Sequence, residues 1–232
     1  MSTTQPTPAT PAAAIAAAVA DLKPRLRGWL HAYAAAVSIA SGAALIAVAA
    51  ALRGGPAGAS TGIYAATVTL LFGTSALYHR LNWSPSAHRL MKRLDDSMIF
   101  VFIAGTYTPI AALTLPRTAA IAVLIAVWSG ALVGVGLQTL WPSAPRWLSA
   151  PCYIALGWVA VFVMPDLLHN AGVAAFVLIF AGGAVYTVGG VVYALKRPNP
   201  VPGVFGFHEV FHLCTLVAAA CHYVAIWLAI FS

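Results

Sequence analysis

Charge is scarce in this chain of 232 residues. Charged side chains make up 7% of the sequence, and only five of them are Asp or Glu. An ordinary soluble domain has roughly 25% charged residues. Apolar residues make up 61%, and the mean hydropathy is +0.89. A water-soluble fold could not hide this much apolar surface, whereas lipid solvates it. The composition therefore excludes a soluble globular domain and predicts an integral membrane protein.

Cysteine is also rare, and its placement excludes a disulfide framework. The three cysteines, Cys152, Cys214 and Cys221, all lie in apolar segments, and none belongs to a C-x-x-C pair. They are expected to behave as small buried apolar side chains. Residues 1–28 also lack the cationic start and apolar core of a cleavable signal peptide.

Seven apolar stretches are long enough to cross a bilayer, which takes about 20 residues of helix. The segments between them are short and contain Pro, Gly, Asn or Ser. We predict an all-α membrane protein with one seven-helix bundle over residues 29–232. Residues 1–28 are rich in Ala, Pro and Thr. This composition predicts a disordered cytoplasmic tail. The predicted spans are 29–52, 62–81, 95–115, 118–140, 147–165, 171–195 and 204–231.

Basic residues are distributed unevenly between the two sides of this bundle. The net charge of +7 is spread between apolar runs rather than gathered in one patch. We therefore expect contact with anionic lipid headgroups and no nucleic-acid partner. Ten of the twelve Lys and Arg residues fall on the side of the N-terminal tail, and only Arg53 and Arg117 fall on the other. Positive loops stay in the cytoplasm, so the N-terminus is predicted inside and the C-terminus outside.

Three segments far apart in the sequence bring polar residues to this predicted cytoplasmic end. Ser75 and His79 end the second span, Asp95 begins the third, and His208 and His212 begin the seventh. Histidine and aspartate are costly inside a membrane, so such a cluster indicates function. Two histidines four residues apart share a helix face and can bind one metal ion. Three nitrogen ligands with one position left for water are typical of catalytic zinc.

Other interpretations of these residues stay open. The sequence from His208 to His212 also reads H-E-x-x-H, the signature of metalloproteases, with Glu209 as general base. An acid in the first turn is equally favourable because of the helix dipole. The histidines can instead form hydrogen bonds between helices without a metal. Ser75 either stabilises an oxyanion or bonds to its own helix. His31 is expected either at the membrane–water interface or in contact with a metal ligand without binding the metal itself.

The chain resembles bacterial hemolysin III proteins over nearly the whole predicted membrane domain. The segments that carry the resemblance are 75–80, 94–100, 104–109, 196–200 and 202–212. Hemolysin III proteins belong with the progestin and adipoQ receptors, which include the adiponectin receptors. The resemblance implies a seven-helix bundle in the inner (plasma) membrane with a zinc ion near the inner leaflet. It assigns zinc binding to His79, His208 and His212, and the family's serine and aspartate to Ser75 and Asp95.

The resemblance also implies a function. The wider superfamily includes alkaline ceramidases, so we expect hydrolysis of a lipid amide or ester linked to membrane homeostasis. Zinc would activate a water, Asp95 would take its proton and pass it to the leaving amine, and Ser75 would assist. One alternative is a receptor-like or hemolytic, pore-forming protein with a structural zinc. The other is an intramembrane protease that uses Glu209, although receptor relatives carry Gln at that position.

Overall fold

Helices account for almost all of the described chain, which covers residues 24–141 and 146–232 of the computed structural model. A short 3-10 helix spans Trp158–Val163, and the two described ranges contain no β-strand. The structure confirms the predicted all-α class. The α-helices are α1 Trp29–Arg53, α2 Gly55–Arg80, α3 Pro85–Thr114, α4 Arg117–Leu140, α5 Arg146–Gly157, α6 Met164–Leu195 and α7 Phe207–Phe231.

Six segments of the described chain are long and apolar enough to cross a bilayer, where seven were predicted. Five of them are single helices: α1, α2, α3, α4 and α7. The sixth, Leu148–Leu195, combines most of α5, the 3-10 helix and α6 into 48 residues. This segment is broken at Gly172, where φ is 78° and ψ is 165°. The structure thus shows a multi-pass membrane protein.

The starts of α2 and α3 lie well before the starts that the hydropathy pattern predicted. α2 starts at Gly55 rather than at residue 62, and α3 starts at Pro85 rather than at residue 95. A proline in the first turn of each helix suits a helix start. Ser84 caps α3, because its Oγ accepts a hydrogen bond from the amide of Ala87 at 3.4 Å. The first turns of α3 are polar and charged, so an apolar-run criterion does not detect them.

α3 occupies the centre of the bundle. It packs against α2, α4, α5, α6 and α7, and its side chains Phe100, Phe102 and Ala104 are almost fully buried. Lipid is as apolar as these side chains, so association of the helices rests on close packing and on hydrogen bonds between them.

The starts of α1 and α7 lie at the same end of the bundle. The amides of Arg25 and Leu26 donate to the carbonyls of Gly203 and Val204, at 3.1 and 3.3 Å. At the opposite end, the Nη1 atom of Arg53 donates to the carbonyl of Ser232 at 3.0 Å. α1 and α7 therefore run in the same direction, and residues 24 and 232 lie at opposite ends of the bundle.

Candidate metal centre

Three histidines from two helices meet at the end of the bundle where α1 and α7 begin. One ring nitrogen from each of His79, His208 and His212 lies within 4.8 Å of the other two. The Nε2 atoms of His79 and His208 are 3.1 Å apart. His79 and His212 are 6% and 2% exposed, so two of the three rings are withdrawn from solvent. The structure thus brings together the three histidines that the sequence predicted as metal ligands.

Helix boundaries explain this meeting. His79 lies in the last turn of α2, while His208 is the second residue of α7 and His212 lies one turn further on. Residues four apart stand above one another on a helix face, so both α7 histidines turn toward α2. The prediction that all three lie at one end of the bundle is therefore confirmed by the structure.

The donor set fits a metal ion. Zinc–nitrogen bonds of about 2.0–2.1 Å in a tetrahedron place neighbouring nitrogens roughly 3.4 Å apart. The observed 3.1 Å between His79 and His208 is close to that value. Neutral imidazole is a ligand that zinc, copper, iron and nickel all accept. These three histidines can therefore hold a metal ion.

A carboxylate lies beside the three histidines. Oδ2 of Asp95 on α3 is 3.4 Å from Nε2 of His79, and its side chain is 14% exposed. This distance suits a carboxylate that binds the same ion directly, and equally one that contacts the fourth position through a water. The neighbouring Asp96 points elsewhere, because its Oδ2 pairs with Nζ of Lys92 at 2.7 Å. The two acids of this pair therefore have different surroundings.

Ser75 lies one turn before His79 on α2 and is 2% exposed. Ser75 is four residues from His79, so both side chains lie on one face of α2. Both interpretations of its hydroxyl, stabilising an oxyanion or bonding to its own helix, stay predictions.

The carboxylate of Glu209 makes its contacts outside the three-histidine cluster. Its Oε1 pairs with Nε of Arg27, and its Oε2 accepts a hydrogen bond from the amide of Gly206 at 2.8 Å. The glutamate is 1% exposed and closes the first turn of α7. The carboxylate therefore fastens the segment before α1 to the start of α7, as expected for an acid near a helix N-terminus.

His31 on α1 joins the cluster from a third side. Its ring stacks on that of His212, with centroids 3.8 Å apart and planes at 13°. His31 is 3% exposed, and neither ring nitrogen has a hydrogen-bond partner within the described residues. The sequence placed His31 only near this end of the bundle. The contact depends on how α1 packs beside α7, which a single sequence does not reveal.

Two spaces in the protein border this cluster. A polar cleft of about 440 Å³ opens beside His79, His208 and Asp95, and Tyr78 and Lys92 also line it. A second space, the inner cavity, lies between α2, α3, α5, α6 and α7, and Phe211, the residue before His212, is one of its lining residues. Its walls are mostly apolar; examples are Leu71, Ile103, Ile110, Leu167 and Ile179.

Comparison with protein families identifies the chain's relatives. The model of the family described as "Haemolysin-III related" matches residues 20–223. The chain belongs to the haemolysin-III-related family. The predicted resemblance is thereby confirmed, and so is the location in a membrane, for which the plasma membrane is typical of this family.

Individual members of the haemolysin III family and its wider superfamily also match. The "Hemolysin-3 homolog" of Bacillus subtilis is 32% identical over 135 residues, which is 58% of this chain and 63% of that protein. The "Hemolysin-3" of Bacillus cereus is 30% identical over 68% of this chain and 69% of its own length. The human "Monocyte to macrophage differentiation factor" is 26% identical over 71% of this chain and 68% of its length. No solved structure matches the chain.

Proposed function

We propose that this haemolysin III protein is a zinc-dependent hydrolase that cleaves an amide or ester bond of a membrane lipid and thereby serves membrane homeostasis. The observation that carries the proposal is the cluster of three histidine nitrogens within 4.8 Å, with a carboxylate 3.4 Å from one of them. Three nitrogens and one position not taken by the protein are typical of catalytic zinc, whereas structural zinc usually has four protein ligands.

The proposal includes seven membrane crossings with the metal centre in the inner leaflet. The segment Leu148–Leu195 is 48 residues long, about 72 Å of helix at 1.5 Å per residue, against a bilayer core of about 30 Å. The break at Gly172 divides it into two crossings of ordinary length. The surplus of Lys and Arg at the end carrying the histidines supports a cytoplasmic position for that end.

Each side chain of the centre has a task in this proposal. His79, His208 and His212 hold zinc, which supplies a Lewis acid that activates water at neutral pH. Asp95 accepts the proton of the attacking water at its carboxylate and later donates it to the leaving amine or alkoxide. The Ser75 hydroxyl donates to the oxygen of the carbonyl group under attack.

The surroundings of the centre support a lipid as the substrate. The polar cleft beside Asp95 suits a headgroup, and the inner cavity, which Phe211 lines, suits a hydrocarbon chain. The scissile bond of an amphipathic molecule that occupied both spaces would lie next to the three histidines. No nucleic-acid partner enters this proposal, because the basic residues lie at the ends of membrane helices.

A structural zinc in a receptor-like or hemolytic protein is the second candidate. The position of Asp95, 3.4 Å from a ligand nitrogen, favours it if the carboxylate is the fourth ligand. The names of the Bacillus relatives refer to hemolysis. A water-filled pore receives less support, because the inner cavity is lined mostly by apolar side chains.

Metal analysis of purified variants tests the proposal. We expect about one zinc per chain, and we expect it to be lost in His79→Ala, His208→Ala and His212→Ala. Asp95→Asn should keep its zinc, while hydrolysis of a fluorescent fatty-acyl amide falls roughly 100-fold, because the amide cannot accept a proton. His169→Ala is the matched control: its neighbour Asn170 bonds to the carbonyl of Thr114 at the opposite end of the bundle.

The outcomes separate the candidates. Full zinc in all three histidine variants would refute the metal centre. Loss of zinc in Asp95→Asn would make the carboxylate a ligand and favour the structural ion. Chelation should lower the thermal stability of the unmodified chain, because a ligand bound only to the folded state stabilises it. Chelation should leave the stability of His208→Ala unchanged.

A further inference from the structure

Two polar atoms beside the inner cavity have no hydrogen-bond partner within the described residues. They are the phenolic oxygen of Tyr186 on α6 and Nδ1 of His222 on α7. Their rings both line the cavity, and the ring centroids are 5.5 Å apart. A buried polar group without a partner costs free energy, so such a pair calls for a physical explanation. Neither residue belongs to the metal centre.

The other polar side chains of the cavity wall differ from this pair. Each of them donates a hydrogen bond to another protein group, with donor–acceptor distances between 2.6 and 3.2 Å. The lack of partners is therefore a local property of the region around Tyr186 and His222. The six satisfied side chains are Thr106, Tyr107, Tyr153, Trp158, Thr187 and Thr215.

The hydrogen bond of the second ring nitrogen of His222, Nε2, determines which chemical group Tyr186 and His222 can bind together. Nε2 of His222 lies 3.1 Å from the carbonyl oxygen of Ile179. A carbonyl oxygen only accepts, so Nε2 carries the proton and Nδ1 of the neutral ring is an acceptor. The phenol of Tyr186 supplies a donor. A hydroxyl group both donates and accepts, so it satisfies both atoms, whereas a ketone or ether leaves Nδ1 without a proton.

The position of the pair suggests which molecule carries that hydroxyl. His222 follows His212 by ten residues, about 15 Å along α7. Thr215 lies between these two histidines on α7 and lines the cavity, as does Phe211, the residue before His212. The walls of the cavity are mostly apolar, which suits a hydrocarbon chain. A chain that starts at the metal centre therefore passes Tyr186 and His222 part-way along its length.

We propose that the inner cavity binds an acyl chain with a hydroxyl group in its middle, which donates to Nδ1 of His222 and accepts from the phenol of Tyr186. The substrate class of the proposed hydrolase is then a lipid with a hydroxylated acyl chain. The inference rests on the proposed function only because it takes an acyl lipid as the occupant.

Binding of fatty acids to the full, zinc-loaded chain tests this inference. Fatty acids are products of the proposed reaction, so turnover does not disturb the measurement. The probes are a saturated long-chain acid, the same acid with one mid-chain hydroxyl, and the isomer hydroxylated beside the carboxylate. By titration calorimetry, we expect the mid-chain isomer to bind about tenfold more tightly than the other two, as two added neutral hydrogen bonds allow.

Two single-atom deletions serve as variant and control. Tyr186→Phe should abolish the preference for the mid-chain hydroxyl without weakening the saturated acid, and it should not lower thermal stability, since that phenol has no partner. Tyr107→Phe removes a phenol that donates to the carbonyl of Gly157. It should lower thermal stability and keep the preference.

Several results would overturn the inference. One is equal affinity for the hydroxylated and saturated acids; another is an unchanged preference in Tyr186→Phe. A stability loss in Tyr186→Phe as large as in Tyr107→Phe would show that water already satisfies the phenol. Displacement of the acid by a rigid polycyclic alcohol would contradict the acyl-chain assignment. A hydroxyl preference without hydrolysis of any lipid would refute only the proposed function, whereas hydrolysis without the preference would refute only this inference.

Discussion

At the scale of single residues, one short motif contains side chains with separate tasks. His208 and His212 face His79, whereas Glu209 between them pairs with Arg27 and caps the first turn of α7. The H-E-x-x-H pattern predicts that the two histidines share one helix face, and both indeed lie beside His79. It does not reveal that the glutamate between them pairs with Arg27. The carboxylate is already bonded on both oxygens, which weighs against its use as a general base.

Glu209→Gln tests this assignment. The amide oxygen of Gln can still cap the helix, but it cannot pair with the charge of Arg27. We expect zinc content and hydrolysis to stay close to those of the unmodified chain. The free energy of unfolding should fall by roughly 1–3 kcal/mol, the range for a hydrogen bond to a charged group. Denaturant unfolding and zinc analysis on the same preparation provide both values. Complete loss of hydrolysis with full zinc would assign the base to Glu209 and revive the protease interpretation.

The sequence predicted the three clustered histidines, but it did not predict the residues that hold the helices around them in place. His79, His208 and His212 were predictable, because histidine inside a membrane is costly and two of them have helical spacing. The roles of Arg27 and His31 were not predictable. Each depends on how the first helix lies against the last, and residues 182 or 181 positions apart leave no pattern in one sequence.

At the scale of helices, the start of α1 docks on the end of α2. Gly28 caps α1 with φ at 80°, a conformation that side chains rarely adopt. A Cβ atom at this position would lie 2.8 Å from Cβ of His79. The guanidinium of Arg80 also covers the ring of Trp29, at 3.3 Å from its centroid. This junction therefore helps to fix the backbone that carries the first metal ligand.

Gly28→Ala should weaken metal binding, because the added Cβ would push His79 out of place. Gly54→Ala is the matched control, because its φ is 84° but the atom nearest to an added Cβ is 4.0 Å away. Both changes should cost about 1–2 kcal/mol of stability from the strained backbone. Only Gly28→Ala displaces His79, and we expect its zinc affinity to fall about tenfold or more. Competition with a fluorescent chelator measures that affinity. Equal affinities in both variants would show that the ligand tolerates the shift.

Helix positions were predictable where the apolar pattern is strong and less so elsewhere. The polar first turns of α3 lie outside any apolar run, so its start was misplaced by ten residues. Pro85 and Ser84 are the local signals that indicate the true start. The predicted boundary at residue 171 lies beside the break at Gly172, where the helical conformation is lost.

At the scale of the whole molecule, the two ends of the described chain are separated by the bundle. Arg53 bonds to Ser232 at one end, while Arg25 and Leu26 bond to the segment before α7 at the other. The sequence assigns ten of its twelve Lys and Arg residues to the side of the predicted bundle that carries the histidines. An odd number of crossings and a cytoplasmic N-terminus follow if that end faces the cell interior.

A reporter fused after Ser232 tests this orientation. We expect alkaline phosphatase, which is active only outside the cytoplasm, to be active in this fusion, and green fluorescent protein, which reports from inside, to stay dark. The same pair of reporters fused after residue 197 should give the opposite result and serves as the control. A fluorescent fusion after Ser232 would place the histidines in the outer leaflet and remove the argument for an inner-leaflet substrate.

The three clustered histidines enter the membrane at different stages of synthesis, because they lie far apart along the chain. His79 enters the membrane with the second helix, but its two partners arrive only with α7, the last helix. A growing chain therefore has only one of the three candidate ligands until α7 is made. In the proposed metal centre, loading would therefore follow insertion of α7 and would report that all three histidines have met.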